Sequence, residues 1–138
     1  MRIRQKLDLK TIGYISTFEK ITRTSAVDFF EKKGQLIFLT KENTAGKAVG
    51  KGGINIKKLS NMLNRKVRIV ELTKDPKKFL THLIFPIKPA SIEQEKDIIT
   101  IKASSTEDKA RMIGRDASNF QLVNLLLERH YKLKLKIA

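Results

Sequence analysis

The sequence lacks cysteine and has only two histidines, His82 and His130. The absence of cysteine excludes disulfide bonds, thiolate metal ligands and a cysteine nucleophile. Two isolated histidines argue against a histidine-rich metal site, and we interpret both as ordinary helix residues. We therefore expect no metal and no cofactor.

Long hydrophobic runs are also missing. No apolar stretch approaches the roughly 18 residues that a membrane span requires. The first residues, MRIRQKLDLK, are basic but are not followed by the apolar region of a signal peptide. These features predict a cytoplasmic protein that does not contact membranes. The length of 138 residues suits one ordinary domain or two very small ones that share a core.

Acidic residues are scarce. The chain has 29 Lys and Arg against 14 Asp and Glu, a net charge of +15, which is typical of a domain that binds a polyanion. The imbalance is greatest between Asn43 and Val70, where seven basic residues occur without one acidic residue. A solvated basic surface would also give such a run, but its length favours a charged partner.

Hydrophobic periodicity divides the chain into two units with the same order of elements. The first, residues 1–73, is predicted as a helix over 9–22, strands over 26–30 and 35–40, a short helix from the N-cap Asn43 to Val49, a longer helix, and the strand KVRIVEL. The second, residues 74–138, is predicted as a helix from the N-cap Asp75 to about Phe85, strands over 90–94 and 98–103, a helix that Ser105 and Asp108 cap and that ends at Ile113, a longer helix, and the strand LKLKI. An offset of 64 residues aligns Gly50 with Gly114 and Asn55 with Asn119, as in an internal duplication.

The glycine-rich stretch AVGKGGINIK does not fit two familiar phosphate-binding motifs. A Walker loop that ends at Gly50 and Lys51 needs glycine in place of Ala45 and a hydroxyl residue in place of Gly52. A dinucleotide-binding loop needs a third glycine in place of Asn55, and a strand before the loop. Both failures argue against a nucleotide-dependent enzyme.

The remaining pattern is helix, Gly-Lys-Gly-Gly, helix. A helix N-terminus presents amides and the positive end of its dipole, and residues without Cβ allow close approach. Lys51 adds a mobile cation. The pattern favours binding of a phosphate backbone at Gly50, Lys51, Gly52 and Gly53, with Lys47, Lys57 and Lys58 as electrostatic support. Ile54 and Asn55 are then placed to contribute to a groove for the bases. The alternative is a tight turn between packed helices.

This arrangement resembles the KH domain family, whose GxxG loop clamps single-stranded nucleic acid, and the helix-first order is similar to its type II form. Two such units in tandem resemble the archaeal NusA transcription factors, in particular through TIGYISTFEKIT, AGKAVGKGGINIKKLSNMLNRKVRIVE and DPKKFLTHLIFPIK. The resemblance covers essentially the whole chain. It implies a factor that binds nascent RNA and acts with RNA polymerase in elongation or termination.

The second unit departs from the GxxG pattern, because Gly114, Arg115, Asp116 and Ala117 replace the last glycine and introduce a carboxylate. Asp116 is expected to repel phosphate and to cap the following helix, so only Gly114 and Arg115 remain as predicted RNA contacts. The aromatic residues follow helical or strand periodicity and are predicted to lie in the core: Tyr14, Phe18, Phe29, Phe30 and Phe38.

Together these observations predict an α+β fold of two type II KH-like units, each a three-stranded sheet covered by helices. The expected function is non-catalytic binding of single-stranded RNA by a monomer that acts with RNA polymerase. A ribosome-associated or ribosome-assembly protein that uses the same surfaces on folded RNA is the alternative.

Overall fold

The computed structural model describes residues 9–138, and it forms two compact units, one ending at Lys74 and one comprising Asp75–Ala138. No helix within residues 9–138 is long and apolar enough to cross a membrane.

Within residues 9–74, the first unit contains three helices and three strands. They are α1 (Leu9–Thr22), β1 (Ala26–Lys32), β2 (Gln35–Lys41), α2 (Ala45–Val49), α3 (Ile54–Leu63) and β3 (Lys66–Leu72), with a 3-10 turn at Lys51–Gly53. The sheet order is β1-β2-β3, with β1 antiparallel and β3 parallel to β2. The predicted order of elements is confirmed, and the first helix has the predicted ends.

The core of the first unit lies between the sheet and its helices. Phe38 of β2 is fully buried and stacks on Phe18 of α1, with ring centroids 4.3 Å apart. Phe29 and Ile69 flank Phe38 on the neighbouring strands and pack on the same cluster. The aromatic residues therefore lie in the core as predicted, where the burial of large rings is a major source of stability.

The second unit repeats this architecture. Its elements are α4 (Pro76–Ile84), β4 (Ser91–Glu95), β5 (Ile98–Lys102), α5 (Thr106–Ile113), α6 (Ser118–Tyr131) and β6 (Lys134–Ile137), with a 3-10 turn at Arg115–Ala117. The order β4-β5-β6 and the strand directions match those of the first sheet. The predicted α+β fold of two KH-like units, each with a three-stranded sheet and helices, is confirmed.

Two of the four predicted helix caps are present. Asp75 accepts a hydrogen bond from the Lys77 amide at 3.0 Å, and Ser105 accepts one from the Asp108 amide, also at 3.0 Å. The predicted cap at Asn43 is wrong, because the N-cap position of α2 is Thr44 and its side chain makes no capping bond.

Candidate nucleic-acid interface

The first glycine loop connects α2 to α3 through three residues with positive φ. Gly50 has φ 80° and ψ 163°, Gly52 has φ 64° and ψ 18°, and Gly53 has φ 74° and ψ 20°. The Gly50 amide donates to the Gly46 carbonyl, and the Gly53 amide donates to the Gly50 carbonyl, each at 3.0 Å. The loop therefore ends one helix and begins the next without an intervening extended segment.

The side chain of Asn55 lies against Gly50 and leaves no room for a Cβ there. A Cβ at Gly50 would lie 2.9 Å from Nδ2 of Asn55 and 2.9 Å from Cγ2 of Ile54, closer than real Cβ atoms approach such neighbours. Nδ2 of Asn55 in turn donates to the Lys47 carbonyl of α2 at 3.3 Å. Asn55 thus holds the two helices together across the loop, and a side chain at Gly50 would displace it.

Gly52 and Gly53 face open space. A Cβ built at either residue meets no atom within 4 Å. These two glycines are therefore not required by packing within the protein, and their lack of a side chain keeps the approach to the loop backbone clear. The exposed Lys51 and the first turn of the ten-residue helix α3 lie beside this opening, and a helix N-terminus with a nearby cation favours an anion.

The predicted supporting residues surround this approach. Lys47, Lys57 and Lys58 are exposed, and Ile54 is 49% exposed at the start of α3. Asn55 is half-buried, and its amide donor is used within the protein. The roles of all these residues as RNA contacts stay predictions.

The start of α2 depends on a residue that sequence reasoning missed. Oε1 of Glu71, at the end of β3, accepts a hydrogen bond from the Ala45 amide at 3.2 Å. A carboxylate at a helix N-terminus satisfies an otherwise unpaired donor and interacts favourably with the helix dipole. The two residues lie 26 positions apart, so no local pattern reveals this cap.

The second loop has nearly the same backbone as the first. Gly114 has φ 76° and ψ 170°, Asp116 has φ 54° and ψ 32°, and Ala117 has φ 59° and ψ 23°. Nδ2 of Asn119 donates to the Arg111 carbonyl at 2.9 Å, and a Cβ at Gly114 would lie 2.8 Å from that amide nitrogen. The asparagine contact is therefore repeated at the position that the offset of 64 predicts.

The side chains of the second loop differ from those of the first at the open positions. Asp116 and Ala117 occupy the positions of Gly52 and Gly53, and they adopt left-handed conformations that are unfavourable for residues with a Cβ. Asp116 and Arg115 are both exposed. Asp116 does not cap the following helix with a hydrogen bond. The N-cap position of α6 is Ala117, and no side-chain hydrogen bond caps that helix.

The described residues give no sign of a metal centre. Within residues 9–138, no group of three or more His, Cys, Asp or Glu side chains is arranged to hold a metal ion.

No family model matches the chain. Curated archaeal proteins do match it. It is 28% identical over 136 residues to the probable transcription termination protein NusA of Methanocaldococcus jannaschii. This match covers 96% of this chain and 74% of the relative. It is 34% identical over 86 residues to the probable transcription termination protein NusA of Methanococcus vannielii, which covers 62% of this chain. Over most of its length the chain is thus similar to archaeal proteins named probable transcription termination protein NusA. The alignment to the Methanococcus vannielii NusA spans half of that relative's length.

A solved structure has a similar fold along nearly the whole length of the chain. The crystal structure of APE1850 superposes with a TM-score of 0.64 at 31% sequence identity, and the match covers 96% of this chain and 100% of APE1850.

Proposed function

We propose that this protein binds single-stranded RNA through the GKGG loop, without catalysing a reaction, and acts on nascent transcripts together with RNA polymerase. The observation that carries the RNA-binding part is the open backbone at Gly52 and Gly53, beside the exposed cation of Lys51. The names of the archaeal relatives, probable transcription termination proteins, support the link to transcription.

The two units contribute unequally to this function. The first loop combines an unobstructed backbone with Lys51, and no acidic residue occurs from Asn43 to Val70. The second has the same backbone course, but the Asp116 carboxylate and the Ala117 methyl group occupy the positions left open in the first. The first unit is therefore the main RNA-binding unit, and Gly114 and Arg115 make at most secondary contacts.

Titration with single-stranded and duplex RNA of the same sequence tests the RNA-binding part. If about five phosphates are engaged, the logarithm of the association constant should fall with the logarithm of salt concentration with a slope of about −3.5. Single-stranded RNA should bind more tightly than the duplex at every salt concentration. An affinity that does not depend on salt, or a preference for the duplex, would contradict the proposal.

Purification of the protein from its own cells tests the cellular role. Co-purification with RNA polymerase supports the transcription role, whereas co-purification with ribosomal particles supports the alternative of a ribosome-associated protein. Sequencing of the RNA crosslinked to Lys51 and its neighbours separates the two roles further, because nascent transcripts and ribosomal RNA differ in sequence.

A further inference from the structure

Two carboxylates connect the start of α2 to the end of β3 in the first unit. Oε1 of Glu71 accepts a hydrogen bond from the Ala45 amide at 3.2 Å, and Oε2 of Glu42 accepts one from the Lys74 amide at 2.9 Å. The two contacts are reciprocal, because a carboxylate on each segment bonds to the backbone of the other. These two contacts are named the carboxylate clasp.

Helix α2 depends on contacts from outside because it is short. It has five residues, Ala45–Val49, and isolated helices shorter than about 12 residues are marginal in water. Its N-cap residue Thr44 makes no capping bond, and the Thr44 hydroxyl donates instead to the Lys41 carbonyl at 2.6 Å. Glu71 therefore supplies the first turn of α2 with an acceptor that the adjacent sequence does not supply.

The position of α2 sets the position of the GKGG loop. Gly50 directly follows the last residue of α2, and its amide donates to the Gly46 carbonyl of that helix at 3.0 Å. The Lys47 carbonyl accepts a hydrogen bond from Nδ2 of Asn55, at the start of α3. A continuous series of contacts thus runs from Glu71 on β3 through α2 to the loop and α3.

The charge of the clasp opposes the binding of phosphate at the loop. Five helical residues span about 7.5 Å, which is close to the Debye length of about 8 Å at physiological salt. A carboxylate at the start of α2 therefore repels a phosphate at its other end. Within residues 9–138, neither Glu42 nor Glu71 forms a salt bridge that would neutralise it. Loss of the charge and loss of the hydrogen bond should therefore have opposite effects on RNA affinity.

The second unit holds the corresponding helix by a local contact instead. Helix α5 has eight residues, and its N-cap Ser105 accepts a hydrogen bond from the Asp108 amide at 3.0 Å. Asp108 also forms an ion pair with Arg111 one turn later, at 3.3 Å. The helix before the GRDA loop thus has a cap of its own, whereas the helix before the GKGG loop is held from the sheet.

We propose that Glu42 and Glu71 are positioning residues, which hold α2 against the end of β3 and thereby fix the GKGG loop in the conformation that binds RNA. This inference rests on the proposed function, since it requires RNA at the first loop. It adds two residues that do not contact the RNA and that oppose it electrostatically, but that determine how tightly the loop binds.

The test separates the hydrogen bond from the charge. Glu71→Ala removes both, and Glu71→Gln removes the charge but keeps a side-chain oxygen that can accept from the Ala45 amide. Each variant is titrated with one single-stranded RNA. Glu71→Ala should bind about fivefold to tenfold more weakly although a repulsive charge is gone, and Glu71→Gln should recover most of the affinity. Glu42→Ala, which releases the segment before α2, should weaken binding about threefold.

Glu19→Ala is the matched control. Oε2 of Glu19 accepts a hydrogen bond from the Ala26 amide at 3.1 Å, so this change also removes a carboxylate and its bond to a backbone amide. Ala26 pairs with Thr40, which places the control at the same end of the same sheet, but the bond joins α1 to β1. Glu19→Ala should lower the urea midpoint about as much as Glu71→Ala does. It should leave RNA affinity within about twofold, because an exposed charge is largely screened.

Amide hydrogen exchange measures how firmly the loop is held in the absence of RNA. Exchange at Gly50, whose amide bonds within α2, should become faster in Glu71→Ala, while exchange at Phe38 in the central strand β2 should not. In Glu19→Ala the exchange rate at Gly50 should stay the same. A general loss of stability would instead raise the exchange rates of both amides together.

Three results overturn the inference. If Glu71→Ala binds RNA as tightly as the unmodified protein or more tightly, the loop does not depend on the clasp. Equal losses of affinity in Glu71→Ala and Glu19→Ala would assign the effect to stability, and equal losses in Glu71→Ala and Glu71→Gln would remove the hydrogen bond from the explanation. Failure of the proposed function is distinct, because the unmodified protein would then bind no single-stranded RNA, while exchange at Gly50 would still report whether Glu71 holds α2.

Discussion

Exchanging the third and fourth residues of the two loops should exchange their affinities for RNA. Gly52→Asp with Gly53→Ala gives the first loop the second loop's residues at these positions, and Asp116→Gly with Ala117→Gly makes the reverse change. Both exchanges are compatible with the fold, because the replaced residues have the same left-handed conformations in the two loops. The exchange therefore changes what a ligand meets without changing the course of the backbone.

The magnitude follows from the open space at the first loop. A Cβ at Gly52 or Gly53 meets no protein atom within 4 Å, so the added side chains obstruct only a ligand. Loss of one charge-assisted hydrogen bond costs about 1.5 to 3 kcal/mol, which corresponds to a tenfold to roughly 150-fold weaker affinity. The reverse exchange removes a carboxylate and should tighten binding.

At these positive-φ positions, replacing glycine should lower the free energy of unfolding, and introducing glycine should raise it. Gly53→Ala introduces a Cβ at φ 74° and should destabilise the first unit by about 1 kcal/mol. Ala117→Gly relieves the same conformation at φ 59° and should stabilise the second unit by several tenths of a kcal/mol. Urea unfolding measures both changes.

Titration of the two exchanged proteins with one labelled single-stranded RNA, at one salt concentration, checks the prediction. The first exchange should weaken binding at least tenfold, and the second should strengthen it. If the first exchange binds like the unmodified protein while the second abolishes binding, the roles of the two loops are reversed. If neither exchange changes the affinity, RNA does not approach the loop backbone.

Three further predictions concern single residues. Asn55→Ala removes the hydrogen bond from the loop to the Lys47 carbonyl and should weaken RNA binding several-fold with little loss of helix content. Asn119→Ala should leave RNA affinity within twofold. Titration measures the affinities, and circular dichroism measures the helix content. Lys32→Gln should raise the free energy of unfolding at neutral pH by a few tenths of a kcal/mol after solvent screening. Because the pKa of Lys32 is lowered in the folded state, its charge destabilises the fold fully below the folded-state pKa, and this destabilisation is lost as pH rises to the unfolded value near 10.5. The gain in stability should therefore disappear when urea unfolding is measured at pH 11. Phe38→Ala removes the ring that stacks on α1 and should cost about 3 to 5 kcal/mol, which thermal unfolding would detect as a lower melting temperature.

Periodicity and capping patterns were enough to predict the order of the elements. Strand β3 was predicted with its observed ends because Val67, Ile69 and Val70 are bounded by polar or turn residues. The cap at Asp75 was likewise readable, since Pro76 follows it at the first helical position. Ends without such signals shifted by one or two residues, as at β1, which extends to Lys32 rather than ending at Phe30.

The contacts that shape the candidate site were harder to predict. The cap of α2 comes from Glu71 on a neighbouring strand, and only the parallel pairing of β2 with β3 brings it there. Asn55 is predicted to contribute its amide to the base groove, and the structure adds a bond from that amide to the Lys47 carbonyl that the sequence pattern does not reveal. A side chain that can bond either a ligand or a nearby carbonyl gives the same sequence pattern in both cases.

The two loops together show what each glycine contributes. Gly50 and Gly114 are both present, and in both loops an asparagine occupies the space that a Cβ would need, so this first glycine is a requirement of the fold. The third and fourth positions keep their positive φ when Asp116 and Ala117 replace glycine, so glycine is favourable there but not needed for the backbone course. What glycine adds at Gly52 and Gly53 is access from outside. A loop that retains that access beside a lysine suits a closely bound phosphate, and a loop that loses it retains the shape without the same capacity for binding.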